Sequence, residues 1–229
     1  MDIGIAFDLK TDFDGTTRPG APDDLLEEYD SPATVTAIAA ALASRGHRVR
    51  KLGGGRAFVA AVMEAPPHLV FNLAEGRGSR SREAHVPAVC ELLGIPCTHS
   101  DPLTMAVTLD KAIAKRVVES CGVATAPFAV LEEASACADL ELEYPLFVKP
   151  LAEGSSMGIR GHSRVTSPAQ LRARVTELLA AYREPVLVEE FLPGAEFTVA
   201  VLGNGAELQM IGPAEIVPLR VPREEFVYS

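Results

Sequence analysis

Residues 147–158 read Phe-Val-Lys-Pro-Leu-Ala-Glu-Gly-Ser-Ser-Met-Gly, a lysine that closes an apolar strand and runs into a loop of small hydrogen-bond donors. Glycines let backbone N–H groups approach a polyphosphate, the Ser155 and Ser156 hydroxyls add donors, and Lys149 supplies a point charge. Taken alone, the same string is also a strand end with a solvated lysine and an ordinary surface loop. Its neighbours decide between the two. About forty residues upstream, Thr108-Leu109-Asp110-Lys111 opens a predicted helix and brings a second lysine. Downstream, the strand Val188-Glu189-Glu190-Phe191-Leu192 breaks at Pro193-Gly194 and resumes with an acid, Glu196. Such a break frees backbone groups to meet the edge of a base, and Glu196 is placed to accept from ribose hydroxyls. The plainer alternative for Glu189, Glu190 and Glu196 is a solvated acidic strand edge.

The elements that must carry these residues follow from periodicity. Apolar runs at 3–7, 47–52 and 68–73 alternate with helical stretches at 31–45, 57–64 and 82–93, each helix ending near a glycine or a polar break. Ser31-Pro32 supplies an N-cap and a first-turn proline, while the Gly- and Pro-containing stretch 10–24 reads as a mobile loop. Alternation of this kind predicts a parallel sheet covered on both faces. From about residue 107 the order changes. Two helical stretches precede the 145–150 segment, a long helix covers 167–182, and strands are expected at 186–191, 196–201, 207–211 and 215–218. Helices followed by a run of strands suggest an α+β second unit.

Composition narrows the classes. The 229 residues carry a formal net charge of -10, spread along the chain, which opposes non-specific binding to nucleic acid or an anionic membrane. No apolar run approaches the roughly 18 residues of a membrane span, and the acidic start, Met1-Asp2, is unlike a secretory signal. A cytoplasmic protein is the expectation. The four cysteines lack the close pairs of a zinc or redox motif and read as buried thiols. Gly53-Gly54-Gly55 follows a strand but lacks the dinucleotide-binding spacing.

The order Leu109-Asp110-Lys111, then Phe147-Val148-Lys149-Pro150 with Glu153-Gly154-Ser155-Ser156, then 188–199, resembles ATP-grasp ligases of the D-alanine–D-alanine ligase group. Glu91-Leu92-Leu93-Gly94 and 95–100 match the segment before it. The resemblance implies a Rossmann-like pre-ATP-grasp domain, α/β, at 1–107, a small α+β lid at 108–184, and the start of the carboxyl-terminal ATP-grasp subdomain at 185–229. It implies ATP and magnesium, and a reaction in which a carboxylate is phosphorylated and then attacked by an amine. By position, Lys111 and Lys149 resemble lysines that contact ATP phosphates, with Ser155, Ser156 and Met157 in the loop above them and Lys149 and Ser155 nearest the chemistry. Glu189 would meet the adenine amino group, Glu190, Phe191 and Leu192 the rest of the base, and Glu196 the ribose.

The substrate side matches less closely. The family carries a glutamate near the first helix, and here 27–31 reads Glu-Glu-Tyr-Asp-Ser, with Glu28 and Ser31 as candidates. The family's Leu-His-Gly corresponds to Ala74-Glu75-Gly76, so Glu75 places negative charge where a histidine is usual. That change points to an amino acid or small carboxylate other than D-alanine. Arg77, Arg80 and Arg82 are possible carboxylate partners or a solvated loop. The family's Glu-x-Asn magnesium motif does not occur in the 229 residues, so the expected partners include self-association or a complementing carboxyl-terminal segment.

Overall fold

The computed structural model describes residues 1–13 and 19–218. Residues 14–18, inside the loop expected at 10–24, and 219–229 lie outside the described residues. The part of that loop beginning at residue 10 is a 3-10 turn, Lys10–Phe13, and Phe13 is buried against Tyr29 with ring centroids 4.4 Å apart. The loop therefore has the apolar anchor that its composition did not suggest.

The first sheet is parallel, with β1 (Asp2–Phe7) between β2 (Arg48–Gly53) and β3 (Leu69–Leu73). Because successive side chains point to opposite faces, β1 divides its apolar residues between two layers. Ala6 joins a core made with Phe58 and Val62 of α2 (Gly55–Glu64) and Val86 and Cys90 of α3 (His85–Leu92). Ile3 and Ile5 are buried outside that cluster, and α1 (Pro32–Ser44) packs on β1 and β2 with Val35 buried. Ser31 caps α1 by accepting the Thr34 N–H at 3.1 Å, and Pro32 holds its first position. Of the stretch expected as one helix from 82, residues Arg82–Ala84 form a 3-10 turn and α3 begins at His85. Pro87, in the first turn of α3, has no intrahelical bond to lose there.

α4 (Pro102–Leu109) and α5 (Lys111–Ser120) are separated by Asp110, which caps α5 through the Ile113 N–H at 3.1 Å. The second sheet is antiparallel, in the order β4 (Phe128–Leu131), β7 (Val186–Glu190), β5 (Leu146–Pro150), β6 (Arg164–Val165). Its strand β7, grouped by sequence with the unit starting at 185, is an inner strand bonded to β4 and β5. One face packs on α6 (Pro168–Tyr182), where Leu146, Val148, Val186 and Val188 meet Leu171, Val175 and Leu178. The opposite face holds Leu187 against Ala112 of α5. This pleat decides where the charged residues go. Lys149 and Glu189 fall on the α5 face because Val148 and Val188 occupy the other.

A two-stranded antiparallel sheet, β8 (Glu196–Leu202) with β9 (Gln209–Ile216), completes the described fold. Two separate short strands were expected in place of β9; the ladder instead runs through Gly212-Pro213, a proline tolerated at the edge of a two-stranded sheet. Phe197, Val199, Val201, Met210 and Ile211 on this hairpin are exposed. Of the cysteines, Cys90 is buried, Cys97 and Cys137 are half-buried and Cys121 is exposed, so the expectation of four buried thiols holds for one. Among the described residues no helix is long and apolar enough to cross a membrane.

Candidate functional site

Lys149 Nζ lies 2.6 Å from one oxygen of Glu189, and Lys115 Nζ lies 2.7 Å from the other. Burial alone would raise the Glu189 carboxyl, but the two ammonium groups outweigh it and hold it below the usual glutamate range. The Glu189 carboxylate is thus engaged by two lysines, rather than standing open. Lys115 follows Lys111 by one helical turn, so both project from the same face of α5. Lys111 donates to the Glu153 carbonyl, and burial, with help from Lys149, pulls its pKa down.

A cavity of about 750 Å³ opens above this lysine pair, lined by Lys149, Ser156, Glu189, Phe191, Leu192 and Glu196 among others. Phe147 and Phe191 stand 6.3 Å apart by ring centroid at one wall. Glu190 contributes less freely than expected, since its N–H donates to the Pro127 carbonyl and its carboxylate accepts the Glu143 N–H at 3.1 Å. Lys111, Lys149, Ser155, Ser156 and Met157 line a second cavity of about 390 Å³. Ser155 and Ser156 are both left-handed, with φ of 44° and 58°. Met157 is buried, so the loop is anchored by one apolar side chain in addition to its small donors. Gly158 has φ of 70°, and a Cβ there would sit 2.5 Å from Pro150 Cγ. Only glycine fits that close approach.

The substrate candidates separate. Glu28 is paired through both oxygens with Arg82, at 3.2 and 2.8 Å. Arg82 is 6% exposed, and also reaches the Ala152 carbonyl at 2.8 Å and Glu153 at 3.0 Å, so it ties the first unit to the phosphate loop. Ser31 is an exposed helix cap and lines none of these cavities. Glu75 does line a cavity, of about 430 Å³, together with Glu28, Asn72, Glu83 and Ser155. Burial first, then the Glu83 and Glu28 charges, push Glu75 up to about 7.

Residues 117–226 match the D-ala D-ala ligase C-terminus family. A D-alanine–D-alanine ligase of Rhodospirillum rubrum is 34% identical over 180 residues, covering 77% of this chain and 56% of that protein. An uncharacterised protein, y4sG, of Sinorhizobium fredii is 36% identical over 175 residues, covering 73% of this chain and 51% of that one. The fold is that of D-alanyl-alanine synthetase A from Vibrio cholerae, with TM-score 0.69 over 96% of this chain and 68% of that one at 16% identity. The VanG D-Ala:D-Ser ligase of Enterococcus faecalis gives TM-score 0.66 over 93% of this chain and 69% of that one at 21% identity. The chain is a D-alanine–D-alanine ligase-like ATP-grasp protein.

This ATP-grasp chain spans about half the length of the curated relatives that it matches, 51% and 56% for the two above. Two of its site residues escaped sequence reasoning. Lys115 was not singled out, although its one-turn spacing from Lys111 was a usable signal. Asp24 carried no signal at all. Its carboxylate accepts the Gly158 N–H at 2.8 Å and the Tyr182 hydroxyl, and lies 2.9 Å from Arg160, fastening the first unit to the far end of the phosphate loop. Among the described residues no group of three or more His, Cys, Asp or Glu side chains is placed to hold a metal ion. The described residues alone therefore do not fit the magnesium that the resemblance implies.

Proposed function

We propose that this chain binds ATP and a small carboxylate or amino-acid substrate for ATP-dependent carboxylate–amine ligation in the cytoplasm. The observation that carries this reading is the floor of the large cavity, where Lys149 and Lys115 hold Glu189 beneath a glycine–serine loop. A nucleotide there would set its phosphates on Lys149, Lys111 and the Ser155 and Ser156 donors, with its base toward 189–192 and its ribose toward Glu196. Phosphoryl transfer to a carboxylate gives an acyl phosphate, and an amine then displaces phosphate to form the amide. Little covalent work falls to the protein in such a transfer; positioning and charge stabilisation in a water-excluding site do most of it. Ser155 and Lys149 supply that stabilisation at the transferred group, and the Asp24 and Arg82 ties hold the loop where it can close off water.

Binding is testable directly. Lys149→Ala and Glu196→Ala should each weaken ATP or ADP, the first through the phosphates and the second through the ribose. A charge-assisted hydrogen bond contributes about 1.5–3 kcal/mol, so calorimetry should read a loss of roughly tenfold or more in affinity. Unchanged affinity in both variants, with melting temperatures preserved, would refute the nucleotide site.

A further inference from the structure

The cavity of about 430 Å³ beside Glu75 is lined by more carboxyl groups than the one ammonium of an ordinary amino acid can pair. Glu28, Asp30, Glu75 and Glu83 line it, and among the described residues no lysine or arginine does and His99 is its one basic side chain. Glu28 is matched by Arg82, which it shares with Glu153. Asp30, Glu75 and Glu83 make no ion pair among the described residues, although Arg82 and Lys111 offset part of the Glu83 charge from a distance. A second feature points to a ligand. Asn72 is 3% exposed and lines the same cavity. Its Oδ1 accepts the Ala74 N–H at 3.0 Å, while its Nδ2 has no hydrogen-bond partner among the described residues. That amide N–H is not a buried atom but opens onto the cavity, where an acceptor on a ligand can meet it.

The spacing of the acids narrows the ligand further. No three of them converge closely enough to hold a metal ion. Charges spread over a cavity wall suit an extended organic cation, because each carboxylate can meet its own ammonium group. An α-ammonium offsets one of the three unpaired acids and leaves two. We propose that this cavity selects an amino acid bearing a second cationic group on its side chain, an ornithine-like diamino acid, whose carboxylate accepts from Asn72 Nδ2 and whose ammonium groups meet Glu75 and Glu83. This assignment deepens the ligase reading and rests on it. Burial already holds Glu75 near 7, so a cation entering the cavity also completes its ionisation.

Calorimetric titration with D- and L-ornithine against D- and L-norvaline isolates the second charge, since each pair differs by one terminal amine. One enantiomer of ornithine should bind at least about tenfold more tightly than its norvaline counterpart, the expected return for a charge-assisted contact. Glu75→Gln and Glu83→Gln should each reduce that ratio toward one. The two variants are read separately, so one that does not fold leaves the other to decide. Equal affinities in the parent protein, tighter norvaline, no binding of either, or a preference that survives both substitutions overturns the proposal. The titrations contain no nucleotide, so their failure is distinct from failure of the ATP-binding test.

Discussion

Replacing Arg82 by methionine removes the guanidinium that Glu28, Glu153 and the Ala152 carbonyl all share, at 2.8, 3.0 and 2.8 Å. Methionine fills much of the same volume, so the effect isolates charge and hydrogen bonding. The Glu28 and Glu153 side chains are 3% and 14% exposed, so solvent replaces the lost counter-charge only in small part. Breaking one partner out of a buried ion pair costs about 3–5 kcal/mol, a large share of a typical total of about 5–15 kcal/mol. At about 2–4 °C per kcal/mol for a chain of this size, the melting temperature should fall by about 6–20 °C. Arg82→Lys should lie between, because an ammonium cannot reproduce the forked contact with Glu28. The loss should also depend on pH. Burial, opposed by Arg82 and reinforced by Glu184, already pushes Glu153 up to about 7 from an ordinary 4.5. Without the arginine its folded-state pKa rises further. An acid raised in this way contributes stability that is complete below its unfolded pKa and lost as pH climbs through its folded value. The gap between parent and variant should therefore be small near pH 5 and widest near pH 8, read by circular dichroism melts at both. A loss under about 1 kcal/mol, or one of equal size at the two pH values, would refute the account of Arg82 as a shared buried counter-charge.

Gly158→Ala should destabilise the fold by about 1–3 kcal/mol in urea titration, since alanine must adopt φ near 70° and displace Pro150. Asp24→Asn should cost about 1–2 kcal/mol at neutral pH, where Arg160 keeps only the exposed Asp23 carboxylate as an ion-pair partner among the described residues. Burial works against the Asp24 carboxylate, yet the Tyr182 hydroxyl, the Gly158 N–H and Arg160 together hold its pKa below the ordinary value. Stability tied to a depressed acid is present above its unfolded pKa and lost as pH falls through its folded one, so acid titration should bring parent and variant together.

What was legible in the sequence was what local chemistry decides. Ser31-Pro32 marks a helix start because a capping hydroxyl and a proline at the first position need no distant partner. The alternation of Leu146, Val148 and Pro150 with Phe147 and Lys149 already divides β5 between two faces. The ATP-grasp resemblance was likewise carried by contiguous strings. What stayed hidden were contacts between segments far apart in the chain. Gly158 and Asp24 are 134 positions apart, and Arg82 and Glu28 are 54 apart, so tertiary packing alone chose those partners. Glu28 and Ser31 looked equivalent in a run of acids and a hydroxyl, yet one is a buried ion-pair member and the other an exposed cap. The 3-10 turn at Arg82–Ala84 is another such case: Arg82 sits where it can reach across to the loop at 152–153, and no periodic pattern records that.

The closed circuit of Lys115, Glu189 and Lys149 has a kinetic corollary. Two cations spanning one anion at 2.7 and 2.6 Å leave one net positive charge, half of what two free lysines would present. The chain as a whole carries a formal charge of -10, so a polyanion approaching from a distance meets repulsion before it meets a lysine. Attraction takes over only near the site, where a phosphate also competes with Glu189 for its partners. Encounter is then governed by far-field repulsion that salt screens over about 8 Å at physiological strength, while the hold, once made, is governed by exchange of partners in a site that salt hardly reaches. Added salt should hasten arrival here, the reverse of what two lysines in a cleft suggest at first sight.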